Sequence, residues 1–163
     1  MIVLMKKLNP RLILVLILIL PWFTIPFLGK ESVKKFLPTS LCICVAVRII
    51  NHIAKKRKWW WFYEKLHPRL TGVFPLLWGP FFVSSMWVLK LTYGNLLKYL
   101  MFTQVSHFFF TYFIMDWFRN AGILSLVRMK KMQLQLLFLV ESLFLYMFQV
   151  FIEKLISKQT AVK

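Results

Sequence analysis

LILVLILILPWFTIPFLG, residues 12–29, is a run of eighteen residues without a charge. As a helix it would rise roughly 27 Å, close to the thickness of a bilayer's hydrocarbon core. Lys6, Lys7 and Arg11 precede it, so a signal peptide is the competing reading. The run is long for a signal segment and no small-residue cleavage site follows it. We read it as an uncleaved membrane span. Pro21 and Pro26 predict kinks, which membrane helices tolerate when neighbours satisfy the freed carbonyls.

Four further apolar blocks follow at residues 36–54, 70–89, 99–118 and 132–152. Each is long enough to cross a bilayer. Pro38 falls near the start of the second, where its missing N–H is an orphan in any case. Pro75 and Gly79-Pro80 fall in the first half of the third. A kinked span fits that block better than a broken segment, because a helix starting only at Phe81 would be too short to cross. The connections at 30–35, 55–69, 90–98 and 119–131 are short. The sequence therefore predicts an all-α, polytopic integral membrane protein. Residues 1–163 form one transmembrane domain, a bundle of five helices at 12–29, 36–54, 70–89, 99–118 and 132–152, with no extramembrane domain.

Composition agrees. Hydrophobic residues make up 60% of the chain and mean hydropathy is +0.67, whereas soluble domains are about 45–50% apolar. One soluble interior could not hold that much apolar surface; the excess must face lipid or a partner. Abundant Lys, Phe, Leu and Ile suit an AT-rich bacterial genome.

The net charge is +17, from 22 Lys+Arg against 5 Asp+Glu. The cations sit in short runs between apolar blocks, such as Lys34-Lys35 and Lys130-Lys131, which is the pattern of loops flanking spans. No zinc-finger or aromatic single-strand signature accompanies them, so nucleic acid is not the expected partner. The segments sharing a side with the N-terminus (up to Arg11, then 55–69 and 119–131) carry more Lys and Arg than those opposite. By the positive-inside rule, the N-terminus is expected in the cytoplasm and the C-terminus outside a plasma membrane.

The stretch KKRKWWWFYEKLHPR, residues 55–69, fuses a block of cations to a block of aromatics. Lys55, Lys56, Arg57 and Lys58 would meet lipid phosphate, at about 1 kcal/mol each near an anionic surface. Trp59, Trp60, Trp61 and Tyr63 favour the headgroup level, where ring and polar tip are both accommodated. The segment reads as an interfacial anchor on anionic lipid. Docking to a specific lipid or protein is the sharper alternative. His67-Pro68 should break it before the third span.

Ionisable groups inside spans usually face the bundle interior. Cys44, Arg48, Asn51, His52 and Lys55 recur at helical spacing and predict one polar stripe. Arg48 lies roughly 9 Å from its span end, Glu141 roughly 13–14 Å and His107 roughly 16 Å, all measured from one side. This predicts an intramembrane Arg48–Glu141 pair with His107 nearby, and Gln104 and Thr111 on the His107 face. Asp116 is expected to pair with Arg119 near a span end.

Catalytic signatures do not emerge. There is no Gly-rich phosphate loop and no H-E-x-x-H pair. Ser106 beside His107 is not a triad, since helix neighbours point about 100° apart. Cys42 and Cys44 suit neither a disulfide framework nor a zinc site and read as small apolar fillers. His52, His67 and His107 do not form a ligand set, and no cofactor is implied. The expected function is that of a non-enzymatic accessory or structural protein acting through helix–helix contacts and anionic lipid, with a membrane-protein partner or a second copy of itself. The alternative is a small transporter or channel, working as a homo-oligomer through the Arg48, His107 and Glu141 cluster.

Overall fold

A computed structural model describes residues 9–161, with side chains described up to Leu155. Lys6, Lys7 and Lys163, which entered the charge comparison, lie outside the described residues, as does the side chain of Lys158. Among the described residues the protein is 79% helical, in five helices. Helix α1 is Pro10–Leu28, α2 is Lys30–Arg57 and α3 is Phe74–Thr92. Helix α4 covers 96–120 and α5 is Lys131–Ala161. Two short strands, β1 (Trp60–Phe62) and β2 (Leu124–Leu126), pair antiparallel. Helices α1, α2, α3 and α5 are each long and apolar enough to cross a membrane.

Each boundary has a local cause. Asn9 caps α1 by accepting from the Arg11 N–H, with Pro10 at the first position, where a proline costs no hydrogen bond. At Pro21 the helix tightens into a 3-10 turn, Leu20–Thr24, and the Thr24 hydroxyl donates to the Pro21 carbonyl at 2.7 Å. Gly29, at φ 77°, ends α1, and α2 begins at the next residue.

The predicted connection at 30–35 is therefore helix. Its Lys, Glu, Ser and Val residues can propagate a turn, and only the glycine needs the left-handed region. Pro38 consequently lies inside α2 rather than at its start. It removes the hydrogen bond to the Lys34 carbonyl. The far end of α2 closes on Lys58, at φ 54°, whose N–H reaches back to the Ala54 and Lys55 carbonyls. The Trp59 N–H also donates to the Ala54 carbonyl, at 2.9 Å.

Helix α3 starts at Phe74, four residues later than predicted, and absorbs Pro80 in a π-helical turn, Leu77–Phe81. Helix α4 is capped by Asn95, which accepts from the Lys98 N–H at 3.0 Å, and carries a π turn at Phe110–Ile114. Such turns often mark functional positions in helices.

The chain runs up and down, and contacts gather alternate connections at two ends. At the first end, Arg11 meets Glu64 at 3.4 Å and the β1–β2 ribbon joins the second connection to the fourth, pairing Trp60 with Leu126 and Phe62 with Leu124. At the second end, the Lys90 ammonium donates to the Phe27 and Leu28 carbonyls, at 3.1 and 3.0 Å.

The interior has two apolar clusters. One, around Phe36, Ile43, Val47, Met86, Leu89 and Tyr99, fills the space between α2, α3 and α4. The other, around Leu14, Leu76, Phe118, Ile123 and Phe138, joins α1, α3, α4, α5 and the ribbon. Outside, large apolar residues stand exposed along the helices, Phe23, Phe27, Val105 and Met147 each at 70% or more.

Candidate functional site

Four small polar residues line one cavity near mid-height of the bundle. Ser85, on α3, donates to the Phe82 carbonyl and lies 2.8 Å from the Ser40 hydroxyl of α2. Thr103, on α4, donates to the Tyr99 carbonyl at 2.9 Å, and Ser142, on α5, to the Phe138 carbonyl at 2.7 Å. Ser84, Ser85, Thr103 and Ser142 line the cavity, which is about 60 Å³ and is shared with Tyr99, His107 and Glu141. Ser85 and His107 lie eleven residues into their helices and Glu141 ten, so all stand roughly 15 Å from a helix end.

Glu141 is buried, and its Oε1 has no hydrogen-bond partner. It also borders an apolar cavity of about 50 Å³, walled by Phe81, Phe110 and Phe138. The His107 ring stacks on Phe138, with centroids 4.5 Å apart, and its Nδ1 is likewise without a partner. Gln104 and Thr111 flank it as predicted: the Gln135 amide of α5 donates to the Gln104 side chain at 3.0 Å, and Thr111 is fully buried.

The predicted Arg48–Glu141 pair does not form. Arg48 is exposed, and among the described residues Glu141 makes no ion pair. The buried face of α2 runs through Thr39, Ser40, Ile43, Cys44, Val47, Asn51 and Ala54. Arg48 and His52 each follow a buried residue by one position, about 100° around the helix, and both are exposed. The predicted polar stripe therefore splits: Cys44 and Asn51 face inward, while Arg48, His52 and Lys55 face out. His107 and Glu141 are brought together; Arg48 is not.

The basic, aromatic segment is also divided, by strand alternation. Trp60 and Phe62 turn toward the core, while Trp61 and Tyr63 stay exposed. The Trp60 indole donates to the Asn51 side-chain oxygen at 3.1 Å, and the Tyr63 hydroxyl lies 2.8 Å from that of Ser125. Trp59 is half-buried, and Lys55, Lys56, Arg57 and Lys58 are exposed. A pocket of about 220 Å³ opens beside the ribbon. Lys55, Lys65 and Arg69 surround it, and Asn51, Trp60 and Trp61 form its wall.

A second polar network, at the opposite end, is invisible to sequence reasoning. Glu153 of α5 receives the Lys35 ammonium and the Tyr93 hydroxyl, each at 2.7 Å. Lys35 also lies 4.7 Å from the centre of the Tyr93 ring. Next to Glu153, the buried Gln149 accepts from the Thr39 hydroxyl. Burial, and then the bond to Glu153, push the Tyr93 phenol above its usual range. Asp116 pairs at 2.7 Å with Lys131 of the following helix and only at 3.9 Å with Arg119.

Among the described residues, no three His, Cys, Asp or Glu side chains gather as a metal-ligand set. No protein-family model, curated protein or solved structure matches the chain.

Proposed function

We propose that the protein is a five-span integral protein of a bacterial plasma membrane, N-terminus in the cytoplasm and C-terminus outside. In this reading it is a non-enzymatic accessory or structural component that works through helix–helix contacts and anionic-lipid anchoring. The observation that carries the reading is the apolar exterior between two polar ends. Exposed Phe23, Val45, Ile49, Val105, Phe113, Val140 and Met147 would each lose free energy against water, but would lie in hydrocarbon at no such cost. Helix α4 joins the other four as the fifth span; Gln104 and His107 meet α5, Thr111 is buried, and Val105, Phe109 and Phe113 are left outside.

The pocket among Lys55, Lys65 and Arg69 supports the lipid part of the reading. Three cations stand around a space walled by two indoles, at the end where the loop charge is densest. A phosphate-bearing headgroup meets opposite charge there, with Trp61 at the apolar boundary.

A second reading is favoured by one observation, the meeting of His107 and Glu141 at a single cavity midway along the helices. Buried ionisable groups at that depth recur on ion and proton pathways. In that reading the protein is a small transporter or channel, working as a homo-oligomer.

The test is resistance of the protein to alkaline extraction from membranes, followed by its mass in mild detergent with whatever stays bound. Retention in the membrane together with a defined hetero-complex is the expected result. Release by alkali would overturn the membrane reading. A closed homo-oligomer, with solute flux lost on Glu141→Gln, would replace the accessory reading with the second.

A further inference from the structure

We propose that the cavity between α3, α4 and α5 is a binding site for one small monovalent cation of the sodium class, with the Glu141 carboxylate as its counter-charge. Glu141 is 8% exposed, and its Oε1 has no partner. Among the described residues it is also the only carboxylate, Lys or Arg lining the cavity. An uncompensated carboxylate in a low-dielectric interior is costly, so such groups are paired, protonated or coordinated. Arg48 is turned outward, and His107 is the only other titratable group on the helical walls apart from Tyr99.

The rest of the lining is suited to a cation. The hydroxyls of Thr103 and Ser142 donate their protons to carbonyls of their own helices, and that of Ser85 is engaged between the Phe82 carbonyl and the Ser40 hydroxyl. A hydroxyl has a single proton to donate and two lone pairs. With the proton engaged, each presents lone pairs alone to the cavity. These three oxygens and the Glu141 carboxylate are the acceptors that a hard cation would use; Ser84, Tyr99 and His107 complete the polar lining. One carboxylate balances one charge, which selects a monovalent ion over a divalent one. About 60 Å³ leaves room for a dehydrated ion and a water, whose share of liquid volume is about 30 Å³. The π turns Leu77–Phe81 and Phe110–Ile114 lie close by in sequence, before Ser84 and after His107.

The inference rests on the membrane placement proposed above, since hydrocarbon surroundings are what make the lone charge costly. It does not depend on whether the bundle moves a solute. The extraction experiment tests the placement separately.

The experiment is thermal unfolding of the purified full chain in detergent, in sodium, potassium or choline chloride at one ionic strength and several pH values. Wild type should show a saturable rise in Tm with sodium, about 5–10 °C at a hundredfold excess over the dissociation constant. Choline should give no such rise. Glu141→Gln should lose the sodium response and, in choline, melt no lower than wild type. Ser142→Ala and Thr103→Ala, which keep the carboxylate, should raise the half-saturating sodium concentration several-fold; they serve as the test if Glu141→Gln is not recovered folded. Identical melting in all three salts would overturn the proposal. So would a sodium response kept in Glu141→Gln, midpoints unchanged in both hydroxyl variants, or a stability that follows pH alone.

Discussion

The Gly79 backbone lies against the Ile17 carbonyl oxygen, so closely that a Cβ on the glycine would fall 2.3 Å from that oxygen. Helices α1 and α3 make their close approach there, inside the π turn that holds Pro80. The neighbour is backbone and cannot swing aside. The indole of Trp22 extends the same contact by donating to the Trp78 carbonyl at 2.9 Å.

Gly79→Ala should therefore destabilise the bundle by about 1–3 kcal/mol through overpacking. At roughly 2–4 °C per kcal/mol for a chain of this size, the loss is readable in thermal unfolding in detergent. An unchanged Tm would mean that α1 does not pack on α3 as described.

Trp60 and Trp61 are neighbours with different surroundings. Trp60→Phe leaves the buried Asn51 oxygen without its donor, at a cost of about 1–3 kcal/mol. Trp61 is exposed, and Trp61→Phe should stay within about 0.5 kcal/mol of wild type. Equal losses at both positions would contradict the alternation of β1.

The Lys35–Glu153 contact is short but half-exposed, with side chains 46% and 32% accessible. Ion pairs of that exposure contribute about 0–1 kcal/mol. Lys35→Glu and Glu153→Lys should each lower stability, and the double reversal should recover most of the loss in a double-mutant cycle. Tyr93→Phe removes the second partner of the same carboxylate and should cost about 1 kcal/mol. Additive losses with no recovery would show that the pair is not formed.

Arg48 gives the opposite expectation. Because it faces outward, Arg48→Gln should shift stability by less than about 0.5 kcal/mol. Reversing Arg48 and Glu141 together should rescue nothing that Glu141→Arg loses. Rescue, measured as recovery of monodisperse protein after detergent extraction, would restore the pair that the structure separates.

Removing cations from the ribbon pocket tests lipid anchoring without touching the core. Lys55→Gln, Lys65→Gln and Arg69→Gln together should leave Tm nearly unchanged and reduce the anionic lipid retained on the purified protein severalfold. The readout is native mass spectrometry. Undiminished retention would move the lipid contact away from this pocket.

Much of the architecture was legible in the chain. The uncharged run at 12–29, the four later apolar blocks and the charge runs between them are local signals, because the cost of a residue in hydrocarbon depends on that residue and its near neighbours. Those signals located all five helices to within a few residues at most ends. Depth along a helix was legible for the same reason, since rise per residue is constant; it placed His107 and Glu141 at one level. Three things required the tertiary structure. Helical spacing cannot say which side of a polar stripe meets a neighbour, so Arg48 and Asn51, three residues apart, end up on opposite sides of that question. Alternation in β1 appears only once Trp61 pairs with Ser125, sixty-four residues away. The meeting of Lys35, Tyr93 and Glu153 depends on three separate elements converging at one end of the bundle, and no periodicity within any one of them encodes it. Sequence determined what each segment could tolerate around it; packing decided which side chains became neighbours, because that choice depends on helix rotation, which only the sum of contacts sets.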